Sequence, residues 1–245
     1  VAQALTENDI HVWYCFCDDP QVVEHQDTYR ALLTDDERQR RERFAFEKDR
    51  NLFLVARVLL RTTLSRYADV PPAQWRFAQT ARGKLFLPED ADTPPLSFNV
   101  SHSGKAAVCA VTLSHPIGVD IESTDRRTEQ KVARYFLSPA EMAEFQRAEG
   151  AAKKDLFYRY WTLKEAYAKA LGMGLSVRFT EFTFRLGQDR SPTISFDRAG
   201  EDGAERHWHF FQTPIEPHYV LAVAVNRPGD RPPSLQVRHA PPHLD

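Results

Sequence analysis

Two short segments hold the residues best suited to chemistry. In Gly118-Val119-Asp120-Ile121-Glu122 the carboxylates stand two positions apart. On a strand, both face one side while Val119 and Ile121 face the other. Two acids on one face repel each other, and a hard cation is the usual relief. Mg²⁺ suits such a pair because it needs only a few carboxylates, with water and phosphate oxygens filling its octahedron. In Trp161-Thr162-Leu163-Lys164-Glu165-Ala166-Tyr167-Ala168-Lys169, Glu165 and Lys169 are four apart and share a helical face with Trp161. A third carboxylate, with a cation one turn along, suits a metal-bound phosphate whose leaving group needs positive charge. Each segment taken alone also has a plain reading, as the wet face of an edge strand or a surface ion pair. Local propensity ties neither segment to the other, so their joint presence counts for more than either.

A third segment is Phe98-Asn99-Val100-Ser101-His102-Ser103-Gly104. A small hydroxyl, an imidazole and a glycine at a strand end can meet a phosphate through side chains and backbone N–H groups. A turn with its hydroxyl bonded to backbone explains the segment equally well. A hydrolase nucleophile does not, because adjacent Ser101 and His102 point to opposite faces of a strand. No G-x-S-x-G elbow occurs anywhere.

The elements that must position these residues can be read from periodicity. Ile10–Cys17 alternates as a strand, with Ile10, Val12, Tyr14 and Phe16 on one face. Thr34-Asp35-Asp36-Glu37 reads as a capping box. A helix from about residue 49 to 67 repeats apolar residues at Leu52, Val55, Leu59, Leu60 and Leu64. Strands are expected at Lys84–Leu87, Leu96–Val100 and Lys105–Leu113, then again at Ile117–Ile121. Ser138-Pro139-Ala140-Glu141 combines an N-cap, a first-position proline and a third-position Glu. A long helix should run from about 153 to 171, capped by Gly172 in the left-handed conformation. Strands follow near Glu181–Leu186, Thr193–Phe196, Trp208–Gln212 and Tyr219–Val225. Pro228, Pro232, Pro233, Pro241 and Pro242 predict an irregular tail. The order strand, helices, strands, repeated once, gives an α+β fold of two similar lobes. The expected division is an N-terminal lobe over 1–115, a C-terminal lobe over 116–226 and a Pro-rich tail over 227–245. No residue-level repeat accompanies this coarse duplication.

The 245 residues allow one large domain or two lobes. With 32 Lys+Arg against 34 Asp+Glu, a net charge of −2 argues against a dedicated nucleic-acid binder. Three cysteines are too few for a disulfide scaffold and suit a reducing compartment. No apolar run approaches the ~20 residues of a membrane helix, and no secretory leader is expected. A cytoplasmic, monomeric protein with neither membrane nor nucleic-acid partner is the expectation. His207-Trp208-His209 lacks a third ligand for zinc, and Cys15-Phe16-Cys17 has poor geometry for a disulfide.

The three chemical segments, in this order and spacing, resemble the signature blocks of the 4′-phosphopantetheinyl transferases, in their larger two-lobed class. Gly83-Lys84 resembles that class's glycine–lysine loop. The resemblance implies a pseudo-dimeric fold with the active site between the lobes. It implies transfer of the phosphopantetheine arm of coenzyme A to a serine of an apo acyl or peptidyl carrier protein, releasing adenosine 3′,5′-bisphosphate. It further implies Mg²⁺, with Mn²⁺ as the substitute, held by Asp120, Glu122 and Glu165. Glu165, directly or through a metal-bound water, is then the base for the serine, and Lys169 steadies or protonates the leaving phosphate. Ser101 matches a pyrophosphate contact, His102 a 3′-phosphate contact and Lys84 a contact in the nucleotide loop. Arg40 and Arg50 are candidates for the 3′-phosphate, since Glu37 stands where the family often has a lysine; a solvated helix face explains each as well. Glu141 fits a family acidic position, though its capping role accounts for it. Carrier recognition is expected around Gly172–Phe182, through Met173, Leu175, Val177 and Phe179, with burial in the lobe as the competing reading. Two other functions stay open at this point. One is a metal-dependent phosphohydrolase of nucleotide diphosphates, and the other is a non-catalytic module binding coenzyme A or a carrier protein.

Overall fold

The computed structural model describes residues 3–88, 93–125, 130–187, 192–196, 207–229 and 231–242. The chain divides into two compact units, one of residues up to Ser114 together with those from Ser234, the other His115–Pro233.

In the first unit, β1 (Asp9–Phe16) leads through two short helices, α1 (Pro20–Glu24) and α2 (Gln26–Ala31), to α3 (Asp35–Glu42) and α4 (Glu47–Leu64). The capping box forms as expected. The Thr34 side chain accepts from the Glu37 N–H, and Glu37 accepts from the Thr34 N–H. A 3₁₀ turn at Pro72–Gln74 and a ribbon of β2 (Ala78–Gln79) and β3 (Leu85–Phe86) precede the hairpin of β4 (Leu96–Ser103) and β5 (Ala106–Leu113). From Leu52 to Leu64 every residue of α4 except Arg57 is buried, and the helix packs on β5, β4 and β1. Trp13 and Cys15 of β1 join this core, with Leu54, Leu59, Cys109 and Val111. Ile10 and Val12, on the opposite face, are buried too.

The second unit holds β6 (Ile117–Ser123), α5 (Gln130–Phe136), α6 (Pro139–Arg147), α7 (Gly150–Leu171), β7 (Phe182–Arg185), β8 (Thr193–Phe196), β9 (Trp208–Ile215) and β10 (Tyr219–Asn226). Its main sheet runs β6-β10-β9, all antiparallel, and α7 packs on β6 and β10. Ser138 and Glu141 form the second capping box, and Gly172 ends α7 at φ 66°. The core is aromatic. Phe136, Phe179, Phe182 and Phe210 crowd around Tyr160 and Tyr167, with Phe136 stacked on Trp161 at 4.2 Å.

The irregular tail expected from residue 227 is corrected by β11 (Ser234–His239), which pairs in parallel with β1. The prolines bracket this strand instead of interrupting it, and its hydrogen-bond partner lies at the other end of the chain. The first sheet therefore runs β11-β1-β5-β4, with β4 at an edge. All three cysteines are free thiols. Among the described residues no helix is long and apolar enough to cross a membrane.

Candidate active site

The acidic pair lies on β6, and Gly118 explains how a helix comes so close to it. A Cβ on Gly118 would stand 2.0 Å from the Ala166 carbonyl oxygen and 2.4 Å from the Ala170 nitrogen. The strand and α7 thus meet at backbone distance, which only glycine permits. Asp120 and Glu122 follow on the same face of β6, and Glu165 and Lys169 adjoin Ala166 and Ala170 on α7. Sequence spacing alone put each pair on one face; the Gly118 contact is what brings the two faces together.

Asp120 is buried, at 3% exposure. Lys169 Nζ donates to its Oδ1 at 2.6 Å. The Glu165 carboxyl is pushed up to about 7, chiefly by burial and then by the negative charge of Asp120. Glu122 adds to the rise and Lys169 opposes it. Three carboxylates and one ammonium thus share a mutual field. Among the described residues, no three His, Cys, Asp or Glu side chains already stand as a closed metal cage. The donor chemistry nevertheless fits a hard divalent cation, which takes oxygen ligands only and leaves most of its positions to water and phosphate. The upward shift of Glu165 is the strain such a charge would relieve. Trp161, on the same helix, is stacked on Phe136 and tilted against Phe157.

In the first unit, Ser101 and His102 sit on edge strand β4. Ser101 is buried and His102 exposed, the opposite orientations expected of neighbours on a strand. Lys84 precedes β3, which lies against β4, and burial pulls its ammonium down to about 8. Arg40 lines a cavity of about 890 Å³ together with Arg43, Arg76, Phe44 and Phe77. Arginine guanidinium groups beside aromatic rings can hold an anionic, flat ligand. Arg43 and Arg76 are additions to the residues expected from the sequence. For Arg43 there was a signal, since it lies three residues from Arg40 and shares its side of the helix. Arg50 is placed otherwise: it lines no part of this cavity, and its guanidinium donates to the Phe44 and Ala45 carbonyls at 2.9 and 3.2 Å. Glu37 is spent on Arg61 at 2.7 Å.

Of the apolar residues after α7, Met173 is 39% exposed, Val177 half-buried and Phe179 part of the core. The Leu175 side chain lies outside the described residues. Leu171, at the end of α7, is exposed as well.

Strand carboxylates packed against a helix that carries Glu and Lys make an acidic site with one ammonium, of oxygen-donor character throughout. The comparisons give that site its family. Residues 116–224 match the model of the 4′-phosphopantetheinyl transferase superfamily, and residues 19–114 match the model of the 4′-phosphopantetheinyl transferase N-terminal domain. The chain is 36% identical over 229 residues to 4′-phosphopantetheinyl transferase HetI of Nostoc, covering 93% of this chain and 92% of that one. It is 29% identical over 217 residues to 4′-phosphopantetheinyl transferase Sfp of Bacillus subtilis, covering 89% and 92%. The human L-aminoadipate-semialdehyde dehydrogenase-phosphopantetheinyl transferase is 28% identical over 206 residues, covering 79% of this chain and 67% of that one. This chain belongs to the 4′-phosphopantetheinyl transferase family.

Proposed function

We propose that this enzyme transfers the 4′-phosphopantetheine arm of coenzyme A to a serine of an apo acyl or peptidyl carrier protein. In this reading it works as a cytoplasmic monomer, and Asp120, Glu122 and Glu165 hold Mg²⁺. The observation that carries the reading is the cluster itself: a buried aspartate fixed 2.6 Å from an ammonium, beside a glutamate that titrates near neutrality.

An alkyl hydroxyl is a poor nucleophile until a base takes its proton. Glu165, held on α7 beside Asp120 and Lys169, is the carboxylate placed to act as that base, directly or through a metal-bound water. Glu165 accepts the serine proton as the serine oxygen attacks the phosphorus bearing the pantetheine arm. A phosphorus–oxygen bond forms to the serine, and the bond to the bridging oxygen breaks. The leaving group is adenosine 3′,5′-bisphosphate, and Lys169, reoriented from Asp120, neutralises or protonates its new terminal oxygen. When bound, the metal ion supplies positive charge to the diphosphate oxygens. Lys84, Ser101, His102 and Arg40 contact the nucleotide and its phosphates, with Arg43 and Arg76 added from the cavity. Leu171 and Met173, just past Lys169, meet the carrier.

The test is intact mass spectrometry of an apo carrier protein incubated with enzyme, coenzyme A and Mg²⁺. A gain of one phosphopantetheine mass, abolished by EDTA and by Glu165→Ala, is the expected outcome. Hydrolysis of coenzyme A with no gain on any carrier would replace the transferase reading with a phosphohydrolase. No change in either molecule would leave a binding module.

A further inference from the structure

Lys164 precedes Glu165 on α7 and is fully buried, yet no step of the proposed reaction uses it. Its Nζ meets Glu141 Oε2 at 2.9 Å and donates to the carbonyls of Phe179 and Phe182 at 2.5 and 2.8 Å. Glu141, also buried, accepts from the Ser138 N–H at 2.8 Å and from the Phe184 N–H at 2.7 Å. The start of α6, the middle of α7, the 3₁₀ turn at Phe179–Glu181 and the start of β7 are therefore held by one pair of charges.

The first unit repeats the arrangement. Glu37, the third residue of the other capping box, pairs at 2.7 Å with Arg61, a buried cation on the long helix α4. Arg61 then donates to the carbonyls of Pro72 and Trp75, in the segment that follows that helix. In both units a capping-box glutamate meets a buried cation of the long helix, and that cation grips carbonyls of the segment beyond. This is the residue-level repeat that the sequence pattern did not reveal.

We propose that the two ion pairs are positioning braces. Glu141–Lys164 fixes the segment after the catalytic helix that receives the carrier protein. Glu37–Arg61 fixes the segment leading to Arg76 and Lys84, which receives the nucleotide. The carrier and nucleotide assignments rest on the function proposed above. Stability alone is a weak reason for such pairs, since well-packed apolar replacements of a buried ion pair are often neutral or better. A cap alone needs only the Ser or Thr and the Glu. The carbonyl contacts are what neither explanation requires.

The test compares wild type with the paired apolar variant Glu141→Leu/Lys164→Met, and with the milder Glu141→Gln should the double variant fail to fold. Hydrogen exchange should quicken in the amides of residues 174–184 while β6 stays protected. The KM for the carrier should rise about tenfold, with kcat and the KM for coenzyme A within about twofold of wild type. Arg61→Met should instead loosen residues 72–76 and raise the KM for coenzyme A without moving the carrier KM. Unchanged exchange and KM, or a uniform loss of rate in step with global unfolding, would overturn the proposal. Because the exchange measurement needs no turnover, the braces are tested even if wild type transfers nothing, which would refute the transferase reading separately.

Discussion

Gly118→Ala is the sharpest perturbation available, because it adds one methyl where a strand and a helix already touch. Its Cβ would lie 2.0 Å from the Ala166 oxygen and 2.4 Å from the Ala170 nitrogen, both backbone atoms. No side chain can swing aside, so α7 and β6 must part by about 1.4 Å, from 2.0 to about 3.4 Å, before an ordinary contact is restored. Overpacking of this kind costs about 1–3 kcal/mol of stability. The larger effect is geometric. Asp120 and Glu122 continue the face of Gly118, while Glu165 and Lys169 adjoin the two displaced residues. A misplacement of about 1 Å at reacting groups can cost on the order of 100-fold in rate. The expected result is a folded variant, with a urea midpoint moderately lowered, whose kcat/KM for transfer falls roughly 100-fold. The half-saturating Mg²⁺ concentration should rise with it. Transfer is read by carrier mass and stability by denaturation, so lost folding and lost geometry are measured separately. A folded Gly118→Ala enzyme retaining kcat/KM within about threefold would show that the close approach does not set the site.

Two further outcomes follow from the first unit. Burial holds Lys84 near 8, below its usual value, so its positive charge is lost as pH rises through that value. The kcat/KM for coenzyme A should fall above about pH 8, and Lys84→Arg, which stays charged, should flatten that limb; an identical fall in both enzymes would remove Lys84 from the nucleotide contacts. Arg40 and Arg50 should separate cleanly. Arg40→Ala should raise the KM for coenzyme A several-fold, whereas Arg50→Ala should cost about 1 kcal/mol in denaturation and leave that KM within twofold.

Local signals carried much of the fold. Both capping boxes, the left-handed Gly172 and the buried stripe of α4 are written within a few residues of where they act, and each forms. The alternation in Gly118–Glu122 gave the face of the carboxylates for the same reason. Features that depend on a distant partner were not legible. The strand β11 has its own alternation, Leu235 and Val237 between polar neighbours, but only its pairing with β1 outweighs the surrounding prolines. Arg50 has the charge of a phosphate ligand, yet its use is decided by two carbonyls of the preceding turn. Phe179 has the look of a docking residue until the aromatic core around Tyr167 claims it.

Lys164 shows most clearly what spacing cannot say. Between Leu163 and Glu165 it looks like any solvated helical lysine, and burying a lysine without a partner would be prohibitive. Its partner, Glu141, has a sufficient explanation as a cap, so nothing in the local pattern joins the two. The join becomes visible only when Phe179 and Phe182 turn their carbonyls toward the same ammonium. The same logic in Glu37–Arg61 used a different cation and different neighbours, so an inspection for repeated letters passes over it. What the two units share is a division of labour: a short capped helix supplies the anion, the long helix the cation, and the next segment the carbonyls. If the braces act as proposed, Glu141 and Lys164 position the carrier segment from within the core, while Glu37 and Arg61 position the nucleotide segment from the wall of the arginine-lined cavity itself.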